Sequence, residues 1–557
     1  MHRMNCRELP DDLLFRYSSM LKPVYPRIVC ALTLLLLTAV FAAAQGGRTV
    51  DADVCVYGGT SGGVIAAVQA ARMGKRVALI SVNNHLGGMT SGGLGETDVG
   101  KLGNGYIQGM AREFYVRIGH AYGSGAKFSF EPHVAESVFK AMVQQAKVPW
   151  FTNQSLASVK MSGQRITAAI MSDGTVFTAR VFIDASYEGD LMAGAKVSYV
   201  IGREAASAFH ENLNGVRSPN TGSHQFGTLD ISPYRVPGNP ASGLIPLVSS
   251  ESPSTPGAGG RFIQAYNFRL CLTKVGANKI ALTAPANYST NRYELLARYI
   301  QALRASGRKI SLATFMNIAS MPNGKTDINN NGPVSTDFIG ESTPYVEADA
   351  ATRQRIWDAH KEYTQGFLYF LATDPRVPAN VRESMSSYGA CEDEFKDAEG
   401  WPHQLYVREA RRMVSDYVMT ESNCLGQVVA PDSIGLGAYA MDSHNCQRVV
   451  VNGRVENEGD TYGLVNVPAP YSISYRSIVP KASECENLLV PWCLSATHIA
   501  FGSIRMEPVF MILSQSAATA GCMAVDDGVA VQKVNVSQLQ TRLRADGQLL
   551  EPPSKAH

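Results

Sequence analysis

The feature that most constrains this chain is a short stretch in which a strand, a glycine turn, a helix and a second strand follow one another without a gap. Ala52-Asp53-Val54-Cys55-Val56-Tyr57 is a β-type run, Gly58-Gly59-Thr60-Ser61-Gly62-Gly63 follows at once, a helix-period stretch runs to Arg72-Met73-Gly74, and Arg76-Val77-Ala78-Leu79-Ile80 is again β-type. Four pieces within about 30 residues make one βαβ unit, because parallel neighbours need a helical crossover. The turn opens a helix whose first amides and positive dipole end face the strand tips. A dinucleotide pyrophosphate is the ligand such a unit is built to hold.

The turn departs from the general G-x-G-x-x-G pattern, since Gly58 and Gly63 stand at its ends but Thr60 takes the middle place. A second departure is Ser81, where an acidic residue usually meets the adenosine ribose; a serine offers one hydrogen bond rather than two carboxylate acceptors, so Asn83 or Asn84 could share that contact. Next comes His85-Leu86-Gly87-Gly88-Met89-Thr90-Ser91-Gly92-Gly93-Leu94-Gly95. Its five glycines in eleven residues let backbone lie close against a flat ligand.

Length and charge narrow the class further. The 557 residues, 45% of them hydrophobic, can bury large cores and argue for more than one structural domain. Lys+Arg 50 against Asp+Glu 48 leaves +2, without a block of like charge, so a nucleic-acid partner is not expected. Residues 28–44 (IVCALTLLLLTAVFAAA), preceded by Lys22 and Arg27 and ending in Ala42-Ala43-Ala44, read as a secretory signal with cleavage near Gln45; a start at Met20 would give it an ordinary length. The apolar core is shorter than the roughly 20 residues that span a bilayer, so no stable membrane span is expected after cleavage. Of the ten cysteines, eight follow the leader, and none forms a C-x-x-C pair, so no metal site is expected.

Along the chain, residues 164–183 read as a hairpin turning at Ser172-Asp173-Gly174, with a further strand Val181-Phe182-Ile183 ending at Asp184-Ala185. From about 205 to 475 the texture becomes rich in Pro, Gly, Asn and Ser around helices at 292–305 and 351–372. Apolar order returns with a strand at 486–491 and a small-residue helix from Pro508 to Val525. The expected fold is α/β: a leader over 1–44, a split Rossmann-type domain assembled from 50–204 and 476–540, and an inserted substrate or cap region over 205–475.

Several stretches carry a family resemblance: YGGTSGGV at 57–64, HLGGMTSGGLG at 85–95, DASYEGDLMAGAKVSYV at 184–200 with IGRE after it, HQLYVREARRMVSDYVMTE at 403–421, AYAMDSHNCQR at 438–448 and SECENLLVPWCLSATHIAFGSIRMEP at 483–508. Together they resemble a bacterial family of FAD-dependent oxidoreductases with a fumarate-reductase-like, or glutathione-reductase-like, flavin domain, whose members are often labelled xanthan lyase. The resemblance runs over nearly all of the chain after the leader and implies FAD as cofactor. It implies that Gly58, Gly59, Thr60, Ser61, Gly62 and Gly63 hold the pyrophosphate and that Ser81, Asp184 and Ala185 lie toward the adenosine. It also implies that His85, Leu86, Gly87, Gly88 and Met89 line the flavin. Ser503, Ile504, Arg505 and Met506 would place amides at the ring's pyrimidine edge, where a reduced flavin carries negative charge.

Hydride transfer from an alcohol needs a base for the hydroxyl proton. His444, His498 and His403 are the candidates, with Arg408, Arg412 and Arg476 as possible binders of an anionic group. Residues 406–414 read as a helix carrying Arg408 and Arg412 on one face, either as a clamp for an anion or as partners of Glu409 and Asp416. Glu188 and Asp190 could position a ribityl hydroxyl or cap the following helix. The expected activity is an exported dehydrogenase or oxidase acting on a small polar or saccharide molecule, with an electron acceptor the sequence does not name. A polysaccharide lyase and a flavin-binding protein without turnover are the alternatives.

Overall fold

Val54, Cys55, Val56, Leu79 and Ile80 have no exposed surface, so the two strands that hold them must be covered on both faces. The computed structural model describes residues 47–552, and it places these strands at the centre of a seven-stranded sheet. The leader and its cleavage point near Gln45 lie outside the described residues. From Thr49 onward the described chain forms one compact unit.

Strand β1 (Thr49–Tyr57) leads through the glycine turn into helix α1 (Ser61–Arg72) and then β2 (Val77–Ile80). Helices α2 (Gly109–Ala121) and α3 (Pro132–Gln145) precede the two-residue β3 (Trp150–Phe151). Then come β4 (Leu156–Ser162), β5 (Arg165–Met171) and β6 (Val176–Asp184), and much later β7 (Leu488–Leu489) and helix α4 (Glu507–Asp527). The order across the sheet is β3-β2-β1-β6-β5-β4, with β7 also on β6. The pairs from β3 to β6, and β6 with β7, are parallel, whereas β4, β5 and β6 form an antiparallel meander. This is the split Rossmann-type arrangement, closed by a strand and a helix from the far end of the chain.

Helix α1 lies against α4 at very short range. A Cβ on Gly62 would stand 2.4 Å from Ser514 Oγ and 2.5 Å from the Phe510 ring, so the glycine permits this approach. Helix α4 is apolar and long enough to cross a bilayer, but 94% of its most apolar window is buried in the protein. It is the core helix of the sheet.

Some expected elements differ. Residues 176–184 are one strand rather than two, because β6 keeps its register with β1 from Val176 to Asp184. The strand at 156–162 carries little apolar alternation and is largely exposed at the meander's edge, which hides it in the sequence. The strand expected over 486–491 shortens to Leu488–Leu489.

The helix expected over 406–414 does not form. Its amides go to other segments, Tyr406 N to Asn267 O, Met413 N to Cys493 O and Val414 N to Ser198 O, and Arg412–Met413 pairs with Tyr199–Val200. Buried ion pairs to different carboxylates hold the arginines apart, which overrides the local helical pattern. The inserted region has its own five-stranded sheet, made of Met316–Ser320, Lys325–Asn330, Leu270–Thr273, Gly389–Cys391 and Lys279–Ala281 in that order. The helices Glu294–Ala305 and Ala350–Thr373 accompany it, close to where the sequence places them.

Candidate functional site

The parallel strands end on a cleft of about 920 Å³. Tyr57, Gly58, Gly59 and Thr60 form its floor, Ser81 to His85 and Ser155 to Ser158 one side, and Gly88, Tyr187, Glu188 and Asp190 the other. Tyr345, Arg353 and Trp357 from the inserted region reach over it, with His403 and Gln404.

The floor is backbone because nothing larger fits. Gly58 has φ +120°, and a Cβ there would lie 2.5 Å from Ala185 O; a Cβ on Gly59 would lie 2.6 Å from Ser81 Cβ. On Gly63 it would lie 1.8 Å from Gly58 O. Thr60 caps α1, its hydroxyl accepting from Gly63 N at 3.0 Å and donating to Ala185 O at 2.8 Å. A helix start has more amides than one cap can take, and the others are those an anion would meet. Ser61 and Gly62 are buried in that first turn. The cradle therefore fits a pyrophosphate, and the middle threonine of the fingerprint serves as the helix cap.

Ser81 donates to Asn83 O, and Asn83 Oδ1 accepts from His85 N at 3.0 Å, which folds this side of the cleft into a tight turn. Asp184 is turned inward. It accepts from Ser186 N at 3.0 Å and Met192 N at 2.8 Å, and burial pushes its carboxyl up to about 6, so it shapes the loop after β6.

The glycine-rich loop begins at His85, whose ring nitrogens meet Glu136 at 3.1 Å and Asp397 at 2.9 Å. Leu86 is buried, Gly87 N donates to Gly59 O at 2.8 Å, and a Cβ on Gly88 would stand 2.2 Å from Tyr187 Oη. Met89 N donates to Tyr187 Oη at 2.8 Å, and that hydroxyl donates to Glu507 Oε1 at 3.0 Å, while Thr90 donates to the other Glu507 oxygen. Burial raises the Glu507 carboxyl to about 7. Tyr187 and Glu507 thus lock the loop, and sequence reading passed over both; Glu507 stands directly after Met506, inside the SIRMEP motif.

His403 stacks on His85 at 3.9 Å, burial lowers it to about 3, and neither of its ring nitrogens has a hydrogen-bond partner. A buried imidazole with both nitrogens unmet at the cleft wall fits a polar ligand there. Asp190 pairs with Arg353 at 2.6 Å and Arg411 at 2.8 Å, and Glu188 accepts from Tyr345 Oη at 3.2 Å. Arg353, Tyr345 and Trp357 carry no local signal, since only the fold brings them to the cleft.

The loop's far end meets a buried polar cluster. A Cβ on Gly93 would lie 1.9 Å from Arg269 O, and the amides of Gly95 and Glu96 donate to Asp327 at 3.1 and 3.0 Å. Asp327 and Arg269 form an ion pair at 2.5 Å. Arg269 and Arg408 flank the Tyr406 ring at 5.4 and 5.0 Å, and Tyr406 donates to Asp98 at 3.2 Å.

The structure brings His444, Arg408 and Arg505 together here. His444 Nδ1 lies 2.8 Å from Asp337, Arg408 lies 2.9 Å from the other Asp337 oxygen, and His444 Nε2 approaches Asp442, itself paired with Arg505 at 3.1 Å. Against the upward pull of burial, Arg408 and His444 hold Asp337 low. Burial and Arg408 push His444 down, yet Asp442 and Asp337 outweigh them and it is raised.

His498 is elsewhere committed, with Nδ1 to Glu409 at 2.8 Å and Nε2 to Ser443 Oγ at 2.9 Å. Arg412 meets Glu204 and Glu409, the second being the partner named from sequence, and Arg476 meets Asp432 away from the cleft. Ser503 and Ile504 end the helix His498–Ile504, and Met506 caps α4. The Ser503 hydroxyl is bonded to Tyr439 O and Tyr471 Oη.

The sequence matches the FAD dependent oxidoreductase family over residues 53–543. The chain belongs to that family. It is an FAD-dependent oxidoreductase, and the residues that line the cleft fit that cofactor. No curated protein matches this flavoenzyme significantly. Among solved structures, the THI4 protein of Thermovibrio ammonificans is 19% identical over 33% of this chain and 76% of its own, with a TM-score of 0.22. The 3-ketosteroid-Δ4-(5α)-dehydrogenase of Rhodococcus jostii RHA1 is 12% identical over 26% of this chain and 50% of its own, TM-score 0.19. A flavin-containing monooxygenase of Stenotrophomonas maltophilia is 15% identical over 28% and 43%, TM-score 0.19. The flavoenzyme therefore spans half or less of the length of the last two.

Proposed function

We propose that this protein is an exported dehydrogenase or oxidase that oxidises an alcohol carbon of a polar, carbohydrate-derived molecule, with His444 taking the hydroxyl proton. The observation that carries the reading is the His444 Nδ1 contact to Asp337 at 2.8 Å, inside a buried cluster that adjoins the glycine-rich loop of the FAD cleft. FAD, when bound, supplies the two-electron hydride acceptor. The chain supplies the rest. Asp337 holds the Nδ1 proton, which leaves the Nε2 lone pair to receive a proton, and the approach of Asp442 at 3.5 Å stabilises the imidazolium that results. Arg408 fixes Asp337 in turn, and burial of the cluster excludes water. Export rests on the charged, apolar and small-residue segments of residues 22–44.

The test is anaerobic stopped-flow of the purified holoprotein against sugars, alditols, uronates and hydroxy acids. Bleaching of the flavin band by one of these, slowed in His444→Ala while FAD content stays the same, supports the reading. Wild-type bleaching rates in His444→Ala would remove this histidine from the reaction.

A further inference from the structure

The cluster around His444 holds five carboxylates, Asp98, Asp327, Asp337, Asp442 and Asp460, against three guanidiniums, Arg269, Arg408 and Arg505, and two imidazoles, His224 and His444. Each guanidinium already has its carboxylate: Arg269 with Asp327, Arg408 with Asp337, Arg505 with Asp442. His224 lies 2.9 Å from Asp460. Arg408 also donates to Ala265 O and to the side chains of Asn329 and Asn330 at 3.4 Å. Even with every imidazole counted as a cation, the five carboxylates are matched one for one and no positive charge is left over. Once His444 gives up its proton to become a base, the group is negative.

We propose, on the reading of His444 given above, that this site takes a neutral polyhydroxylated substrate and rejects carboxylates. A substrate carboxylate would have to enter a negative field in a low-dielectric interior, or else take a guanidinium from its present partner and leave that carboxylate buried and unpaired. A sugar hydroxyl meets neither obstacle, because it donates to a carboxylate that already has its counter-charge.

The edge of the cluster nearest solvent has the same character. Asp98 keeps 24% of its side chain exposed, and Tyr439 and the exposed Tyr462 lie close enough for its charge to act on their hydroxyls. Aromatic faces and carboxylate acceptors together suit the alternating apolar and hydroxyl faces of a pyranose. Lys101, on the same loop, donates to Asn466 Oδ1 at 3.2 Å. The arginines that sequence reading offers as an anion clamp are thus internal counter-ions.

The experiment titrates the oxidised holoprotein with oxalate and acetate, following the visible flavin band, in the wild type and in Asp442→Asn. The wild type is expected to show no saturable change. Asp442→Asn, with one carboxylate fewer and Arg505 released, is expected to gain oxalate binding by about tenfold or more. Saturable oxalate binding by the wild type overturns the proposal, and so does an Asp442→Asn protein that gains none. If Asp442→Asn does not retain FAD, Asp98→Asn is judged by the same criterion. The result separates from the reading of His444: bleaching by a uronate that is slowed in His444→Ala sinks only the substrate class, whereas unchanged rates in His444→Ala sink the base, whatever oxalate does.

Discussion

His444 and Arg408 face one another across a single carboxylate, Asp337, with contacts of 2.8 and 2.9 Å to its two oxygens. Removing either partner therefore changes the other's surroundings, but in different ways. His444→Ala deletes the proton acceptor and should slow flavin reduction by about 10²- to 10⁴-fold with little effect on substrate affinity. Arg408→Ala leaves Asp337 short of a buried counter-charge and should impair positioning and stability as well as rate. Stopped-flow reduction and chemical denaturation of both variants check this, and equal stability loss in the two would refute the assignment.

The pH dependence follows from the raised pKa of His444. A base works in its neutral form, so the reduction rate should climb as pH rises through a value above the usual 6.5. The folding contribution has the opposite sign. It is complete below the unfolded pKa and is lost as pH passes through the raised folded value. Asp442→Asn removes one of the carboxylates that raise it and should move the rate limb to lower pH.

Gly63→Val should abolish FAD retention. The new Cβ would start 1.8 Å from Gly58 O, so the turn must open, at a cost of about 1–3 kcal/mol in stability beyond the lost cradle. The ratio of flavin to protein absorbance reads the outcome. A stoichiometric flavin in a folded Gly63→Val protein would show that the pyrophosphate lies elsewhere.

Glu507 is a carboxyl raised to about 7 by burial while it accepts from Tyr187 and Thr90. An acid whose folded pKa is raised loses stability as pH climbs from its unfolded value, near 4.5, to about 7. Glu507→Gln has no charge to bury and should flatten the melting profile across that window, by on the order of 3 kcal/mol at most. Thermal melts at several pH values test it. A variant profile parallel to the wild type's would mean that Glu507 is not the titrating group.

Lys325 lies wholly buried, with its ammonium 2.7 Å from Glu131, 2.8 Å from Asp393 and 2.6 Å from Glu394. Glu131, His133 and Glu394 alone could hold a metal ion, but the ammonium stands among them as the counter-charge. Lys325→Met strands these carboxylates and should cost about 3–5 kcal/mol near neutral pH, read by denaturant unfolding. A loss of under about 1 kcal/mol would show that water reaches the cluster.

What the sequence by itself determined is local and steric. A strand, a glycine turn, a helix and a second strand in immediate succession point to a βαβ unit, because parallel neighbours need a helical crossover, and the structure then shows that no Cβ fits at Gly58 or Gly63. The motifs around His85, Asp184 and Ser503 carried the family and its cofactor for the same reason, being contiguous. The tertiary structure decided the remainder. Residues 406–414 have a helical pattern that packing overrides, since Arg408 and Arg412 are drawn to Asp337 and to Glu204 on different segments. The cluster joins Asp98, Arg269, Asp337, Asp442 and Arg505, more than 400 residues apart at the extremes. Whether an arginine there is a free anion binder or a neutralised counter-ion depends on which carboxylate lies within about 3 Å of it in a desolvated interior. Only folding sets that distance.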